Sequence, residues 1–199
     1  MTSERFLNTY RNASTLPTED VPHDLANFML AIDPILGSTA ELARVVAYAH
    51  QGACAQLIGD GWKYARKYFS LSEKYADWAD YKVPAVGFGI HAYAHRIDKP
   101  LRMTDDELRS HPEWRNFGRE LDRHPPMRGW LMAPLIGSDG ENYGFIQASD
   151  RIEGDFTEQD ETNFVRLASL TSSALDALAR VHLADYRAKL ADLSHKSGT

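Results

Sequence analysis

The chain has a single cysteine, Cys54, among its 199 residues. A lone thiol excludes an intrachain disulfide and a thiolate metal cluster, which fits a reducing compartment. No apolar run approaches the roughly 20 residues that a membrane helix needs, and the opening Met1-Thr2-Ser3-Glu4-Arg5 leads into none. The expectation is a soluble, cytoplasmic protein with no membrane partner. On that reading the sequon Asn12-Ala13-Ser14 is a chance match. A basic excess is missing too: 22 Lys and Arg stand against 28 Asp and Glu, a formal net charge of -6. Phosphate binding draws most of its energy from clustered cations, so nucleic acid is not an expected partner. Internal repeats, phosphate loops, Ser-His-Asp arrangements and paired-acid motifs are also absent from the sequence. Hence no catalytic residue is nominated and no enzyme is expected.

What is present, 43% hydrophobic and 25% charged residues, suffices for one substantial core. Residues Ser3 to Asn12 read as a short helix, and Thr15 to Pro22, with two prolines, as a linker. From Ser38 to His50 the spacing of Leu42, Val45, Val46 and Ala49 predicts a helix, with Ser38 as N-cap and Glu41 three residues on. Ala53–Ile58 and Lys67–Leu71, separated by Gly59-Asp60-Gly61, predict a hairpin. An aromatic-rich stretch, Ser72–Asp80, precedes a short helix over Ile90–His95 and a brief strand at Pro100–Met103. Thr104 followed by three acids reads as a helix start, and Ser110–Trp114 as another.

The clearest hairpin joins Trp130–Ile136 to Tyr143–Ser149 through Asp139-Gly140, with Pro134 implying an edge or a bulge. Alternation puts Tyr143, Phe145, Gln147 and Ser149 on one face and Gly144, Ile146 and Ala148 on the other. Thr157-Glu158-Gln159-Asp160 resembles a capping box and opens a pattern free of Pro and Gly to about Leu193. As one helix, those ~37 residues would span roughly 55 Å and project beyond a domain of this size. The order of elements predicts an α+β domain on a central antiparallel sheet.

A more specific signal lies in the text of six segments: Phe69–Tyr75, Pro100–Thr104, His111–Trp114, Pro125–Leu131, Ala133–Gly137 and Glu153–Thr157. In that order they resemble the GAF domains of bacterial sensor proteins, with the likeness covering about Ser38 to Leu178. The resemblance implies a GAF-like (profilin-like, PAS-related) antiparallel sheet flanked by helices, with a ligand between one sheet face and the middle segments. It also implies dimerisation and signal relay through flanking helices. The expected division is an N-terminal helical extension and linker over 1–37, a GAF core over 38–156 and a long C-terminal helix over 157–199. Expected partners are an unidentified small molecule, a second copy of the chain, and a separate signalling protein; the cofactor stays unknown.

Twelve residues are candidate ligand contacts. Arg102 and Arg128 with Tyr75, Trp78, Trp114 and Trp130 combine guanidinium and aromatic faces suited to a carboxylate or planar ligand, or else they bridge loops and fill core. Phe69, Met132, Phe145 and Gln147 are strand residues facing a pocket. His91 and His95, four apart, share one helix face. They suit a metal or a haem, yet no acidic residue stands between them as a catalytic base, and no metal site is nominated. His111 and His124 are assigned to a helix start and a loop. Cys54, within a strand, reads as a small buried hydrophobe. On the last helix, Phe164, Leu167, Ala174, Leu178 and Val181 form a stripe expected to pack on the domain. Leu183, Tyr186, Leu190 and Leu193 form a second stripe expected at a dimer seam.

Overall fold

The computed structural model describes residues 9–12, 23–58, 64–78, 89–115, 125–140 and 142–184. Six strands form one antiparallel sheet: β1 (Thr9–Asn12), β2 (Ala49–Ile58), β3 (Tyr64–Leu71), β4 (Leu101–Met103), β5 (Trp130–Ile136) and β6 (Asn142–Arg151), in the order β1-β3-β2-β6-β5-β4. Both expected hairpins are present, as β2–β3 and β5–β6. The expected α+β class with a central antiparallel sheet is therefore the observed one. Helices α1 (His23–Val46) and α4 (Glu158–His182) contact the sheet and each other. On the opposite face lie α2 (Gly89–Ile97), the short α3 (Asp105–Ser110) and the loop before β5; a 3-10 turn over Glu73–Trp78 follows β3.

Three local expectations are corrected. The segment read as an N-terminal helix contributes β1, whose Thr9–Asn12 pairs antiparallel with Lys67–Ser70. Ser110–Trp114 is not a helix: His111 caps α3 and a turn follows. The linker read over Thr15–Pro22 lies outside the described residues, and α1 begins at His23, well before the helix start read at Ser38. Pro34 sits inside α1, where the missing N–H and ring clash cost about 3 kcal/mol. The helix tolerates it because Leu25, Phe28, Met29, Ile32 and Leu36 bury one continuous stripe, and tertiary packing supplies most helical stability.

The second half of α1 presents a different face from the one its large residues suggested. Thr39, Ala40, Ala43 and Ala47 are buried, whereas Leu42 and Val45 are 47% and 56% exposed. The cause is close approach to β2. A Cβ on Gly52 would stand 2.5 Å from the Arg44 backbone nitrogen and 2.6 Å from the Ala40 oxygen. Glycine on the strand and alanine on the helix are what that spacing admits.

Two apolar clusters occupy the two sheet faces. Cys54, Tyr68, Leu131, Ala133, Ile146 and Ala148 meet α1 and α4, while Ala55, Leu57, Trp130, Met132 and Phe145 meet Ile90, Ala94 and Leu108. The expected alternation on β6 holds from Phe145 onward. It fails at Tyr143, which packs on the helix side near Phe28. Here the ladder slips: Pro134 faces Phe145, yet Ile136 faces Asn142, so β6 carries an extra residue. The bulge that Pro134 implied is present, and it turns Tyr143 to the other face.

α4 starts with the capping box read from sequence, Thr157 Oγ1 accepting from Asp160 N and Asp160 accepting in return. Phe164, Leu167 and Leu175 bury on the sheet side, but Val181, assigned to the packed stripe, is 73% exposed. Leu183 caps the helix and packs against the core, whereas Tyr186, Leu190 and Leu193 lie outside the described residues. Asp176 ties α4 to the closing hairpin, accepting from Ser138 N at 2.7 Å and the Tyr143 hydroxyl at 2.9 Å. Burial opposes its charge, but these donors outweigh burial and hold the carboxyl below its ordinary range. A depressed folded-state pKa stabilises above the unfolded value, and that contribution vanishes as pH falls through the folded value. Asp176→Asn should therefore cost about 1.5–3 kcal/mol at neutral pH and progressively less below about pH 4. Urea unfolding at several pH values checks this; a pH-independent gap would refute the assignment.

Candidate ligand-binding site

On the face away from α1 and α4, the central strand β2 carries small side chains, Ala53 and Ala55, between the larger residues of its neighbours. Ala53 is flanked by Phe69 on β3 and Gln147 on β6; Gln51 is flanked by Leu71 and Ser149. This leaves a hollow of ≈ 230 Å³, counted to its open mouth, lined by Gln51, Ala53, Phe69, Met127, Gln147 and Ser149 among others. Gln51 Nε2 donates to Pro126 O, which fastens the Met127 loop over the hollow. The enclosed part of the hollow has room for about one water, so a larger molecule would have to extend through the open mouth or widen it.

Gln147 organises the polar side. Its Oε1 accepts from Trp130 Nε1 at 3.3 Å and lies 2.9 Å from His91 Nε2. An indole nitrogen only donates, so the contact fixes the amide orientation, makes His91 Nε2 the donor, and leaves Gln147 Nε2 as an uncommitted donor among the described residues. The His91 ring stacks on Phe145 (centroids 5.8 Å, 17°) and meets Trp130 edge-on. Beside them, Ser149 Oγ is buried and has no hydrogen-bond partner among the described residues. A buried unsatisfied hydroxyl costs about 1–3 kcal/mol, so its retention at a hollow is informative.

The structure sorts the twelve candidates. Phe69 and Gln147 line the hollow. His91, Trp130, Met132, Phe145 and Trp114 form or pack on the neighbouring apolar cluster. Tyr75 and Trp78 meet edge-on at 5.6 Å, and Tyr75 donates its hydroxyl to Asp150, which also takes Lys74 at 2.6 Å. Burial and that carboxylate raise the Tyr75 pKa. Arg102, His95 and Arg128 stand apart from the hollow. Arg102 bridges β4 to α4 through Glu161 at 2.9 Å and reaches Phe156 O, the loop-bridging alternative. His95 turns to Asn142, and burial lowers its pKa. Arg128 is exposed, its carbonyl accepting from Asp150 N.

Sequence reasoning missed Gln51, Ala53 and Met127 as wall residues, and it carried Ser149 only as a face-mate of Gln147. The alternation of β6 was the available signal for Ser149; nothing local marks Ala53 as a floor. Lys67 was missed as well. It shares the sheet face of Phe69, with Nζ 4.7 Å from the Phe69 ring centroid, and burial pushes its pKa down to about 7. Cys54 is fully buried on the opposite, helix-covered face, and burial raises its thiol pKa. Among the described residues no group of three His, Cys, Asp or Glu side chains is placed to hold a metal, and no helix is long and apolar enough to cross a membrane.

Comparison with solved structures places this architecture. The chain is similar to the blue-light absorbing form of the Thermosynechococcus elongatus PixJ GAF domain, with TM-score 0.58 and 17% identity over 85% of this chain and 96% of that one. It is also similar to the type II free methionine-R-sulfoxide reductase of Thermoplasma acidophilum (TM-score 0.51, 16% identity, 78% of this chain, 96% of that one). The free methionine-R-sulfoxide reductase of Neisseria meningitidis, solved with its substrate, gives TM-score 0.52 at 15% identity, over 77% of this chain and 85% of that one. At such identities these likenesses show the fold alone. Comparison with curated proteins finds no match. The GAF domain family model matches residues 28–176, from the buried Phe28 of α1 to the hairpin-anchoring Asp176 of α4, and the chain belongs to the GAF domain family.

Proposed function

We propose that this protein is a sensory or regulatory module that binds a small molecule in the hollow beside β2 and relays occupancy through paired flanking helices to a separate signalling protein. The observation that carries the reading is the buried Ser149 hydroxyl, unpartnered among the described residues, at a hollow also lined by Gln147, whose Oε1 is committed to Trp130 and His91. A bound molecule would satisfy that hydroxyl. Strand β6 supplies a route onward: Gln147 and Ser149 face the hollow, while Tyr143 on the same strand donates to Asp176 of α4. Relay requires a ligand with different affinities for two helix arrangements, because equal affinity shifts nothing.

Binding is favoured over catalysis because the sole cysteine is sealed on the helix side with a raised pKa, away from the hollow. Self-association through the helices is supported by Leu170 and Val181, 69% and 73% exposed and about three turns apart on one side of α4. Native mass spectrometry of freshly purified protein should show a dimer that retains or acquires a small molecule from a metabolite mixture. In the double variant Leu170→Asp, Val181→Asp the dimer should dissociate at least tenfold more readily; an unchanged sedimentation coefficient would remove that interface. One observation favours a second reading, a ligand-free dimerisation module: Trp130, Met132, Phe145 and Ile90 already fill the space between β5–β6 and α2. Failure to retain or acquire any ligand would select it.

A further inference from the structure

The sheet changes face between two neighbouring rungs of its central strand pair. Gln51 of β2 stands opposite Ser149 of β6, and both line the hollow. Strict alternation would give the pair Ala49 and Arg151 the same facing. Ala49 instead belongs to the helix-side cluster, and Arg151 Nε reaches Asp160 Oδ2 in the first turn of α4 at 3.0 Å. Between the two rungs lies Asp150, with φ +56°. A residue with a Cβ rarely occupies that left-handed region, so its surroundings must hold it there.

The holding contacts come from outside the strand. Asp150 is 5% exposed, and its Oδ2 accepts from the Tyr75 hydroxyl and from Lys74 Nζ, the latter at 2.6 Å. Its N–H donates to Arg128 O at 2.8 Å. Tyr75 is itself buried and packs edge-on against His50 and Trp78. The buried hydroxyl-to-carboxylate bond is the stronger of the two side-chain contacts, because Lys74 is 40% exposed and water screens its ion pair. Beyond the turn, Ile152 N donates to Tyr48 O at 2.9 Å, and the Arg151 guanidinium lies over the Tyr48 ring. Asp160, which receives Arg151, also accepts from Thr157 N and Thr157 Oγ1 and so closes the cap of α4. Three consecutive residues therefore meet three different parts of the fold: Ser149 the hollow, Asp150 the segment after β3, and Arg151 the start of α4.

Resting on the ligand-binding reading above, we propose that Asp150 is a positioning residue: held by Tyr75, it sets the facing of Ser149 and Arg151 together, so that a change at the hollow is passed to the α4 cap. The relay then has a definite joint, Ser149–Asp150–Arg151, at the other end of β6 from the Tyr143–Asp176 contact.

Amide hydrogen exchange of the full chain, read residue by residue by NMR, tests the joint. The reporters are the amides of Asp160 and Glu161, which donate to Thr157 Oγ1 and Thr157 O; the reference is Leu108 N, which donates to Thr104 O in α3. Tyr75→Phe removes the clamping hydroxyl and should speed exchange of both reporters at least tenfold relative to the reference. Asp150→Gly, which adopts the same φ with no carboxylate to clamp, should do the same. Asp150→Asn tolerates the φ and still accepts from Tyr75, so it should stay within threefold of wild type, as should Lys74→Met. Ser149→Thr places one methyl at the hollow and should shift the reporter resonances, and that shift should vanish when combined with Asp150→Gly. Equal acceleration of reporters and reference in Tyr75→Phe would make Tyr75 a general stabiliser and overturn the joint. Unchanged reporters in Asp150→Gly, or a Ser149→Thr shift that survives Asp150→Gly, would overturn it as well. Adding a metabolite mixture to the wild type separates this proposal from the functional reading. If a small molecule binds while the reporters ignore both it and Tyr75→Phe, the joint falls and ligand binding stands. If the variants behave as expected but nothing binds, the coupling of clamp to cap stands and the sensory reading falls.

Discussion

Replacing Gly144 by alanine should cost the protein more than about 4 kcal/mol, enough to remove most of the stability of an ordinary domain. The residue has φ +132°, and a Cβ there would stand 1.9 Å from the Ala55 carbonyl oxygen and 2.9 Å from its carbon. These are backbone atoms of the paired central strand, so no rotamer change relieves the overlap. Shifting β6 to make room would break the ladder on which Gln147 and Ser149 depend. Gly140 supplies the comparison: its φ is +84°, but nothing lies within 4 Å of a Cβ placed there. Gly140→Ala should cost only about 1 kcal/mol, from backbone conformation alone. Thermal or urea unfolding of the two variants checks the pair, and equal losses would show that the close approach to Ala55 is not decisive.

The second large effect is expected at Trp130. Its side chain is fully buried between His91, Met132 and the Gln147 amide, so Trp130→Ala should lose about 3–5 kcal/mol by opening a cavity in the second cluster. Trp130→Phe keeps most of the apolar volume and removes the indole N–H. It should cost only about 1 kcal/mol, but it also releases the amide orientation of Gln147, because His91 can accept or donate whereas indole only donates. The side-chain amide resonances of Gln147 should then report two environments in place of one. A single unchanged pair of resonances in Trp130→Phe would show that His91 alone sets the orientation. Since Gln147 Nε2 faces the hollow, the same variant should weaken any ligand that accepts from it without changing the fold.

Much of the architecture was legible because it rests on local rules. The Asp139-Gly140 turn, the helix start at Thr104, the Thr157 capping box and the two long hairpins are short-range signals, and each appears where the sequence put it. The failures share one cause. The helix start was placed at Ser38, yet α1 begins at His23 and passes through Pro34 because residues far away in sequence cover its apolar stripe. Leu42 and Val45 looked like a core face, yet contact with β2 at Gly52 admits only alanines. Tyr143 obeyed strand alternation until the bulge opposite Pro134 turned it over.

The candidate site divides the same way. Gln147 and Phe69 were identified from their strands, and Arg102 was nominated beside them although it bridges β4 to α4. Sequence alone determined which strands and helices exist, what caps them, that the chain carries one thiol and an acidic balance, and the family to which its text conforms. Tertiary structure decided which side chains share the hollow: Ala53 as its floor, Phe69 and Gln147 on either side, and Ser149 with a hydroxyl that no described residue answers. Those properties belong to spaces between strands that are distant in the chain, and a vacancy or a missing partner has no local signature in the residues that surround it.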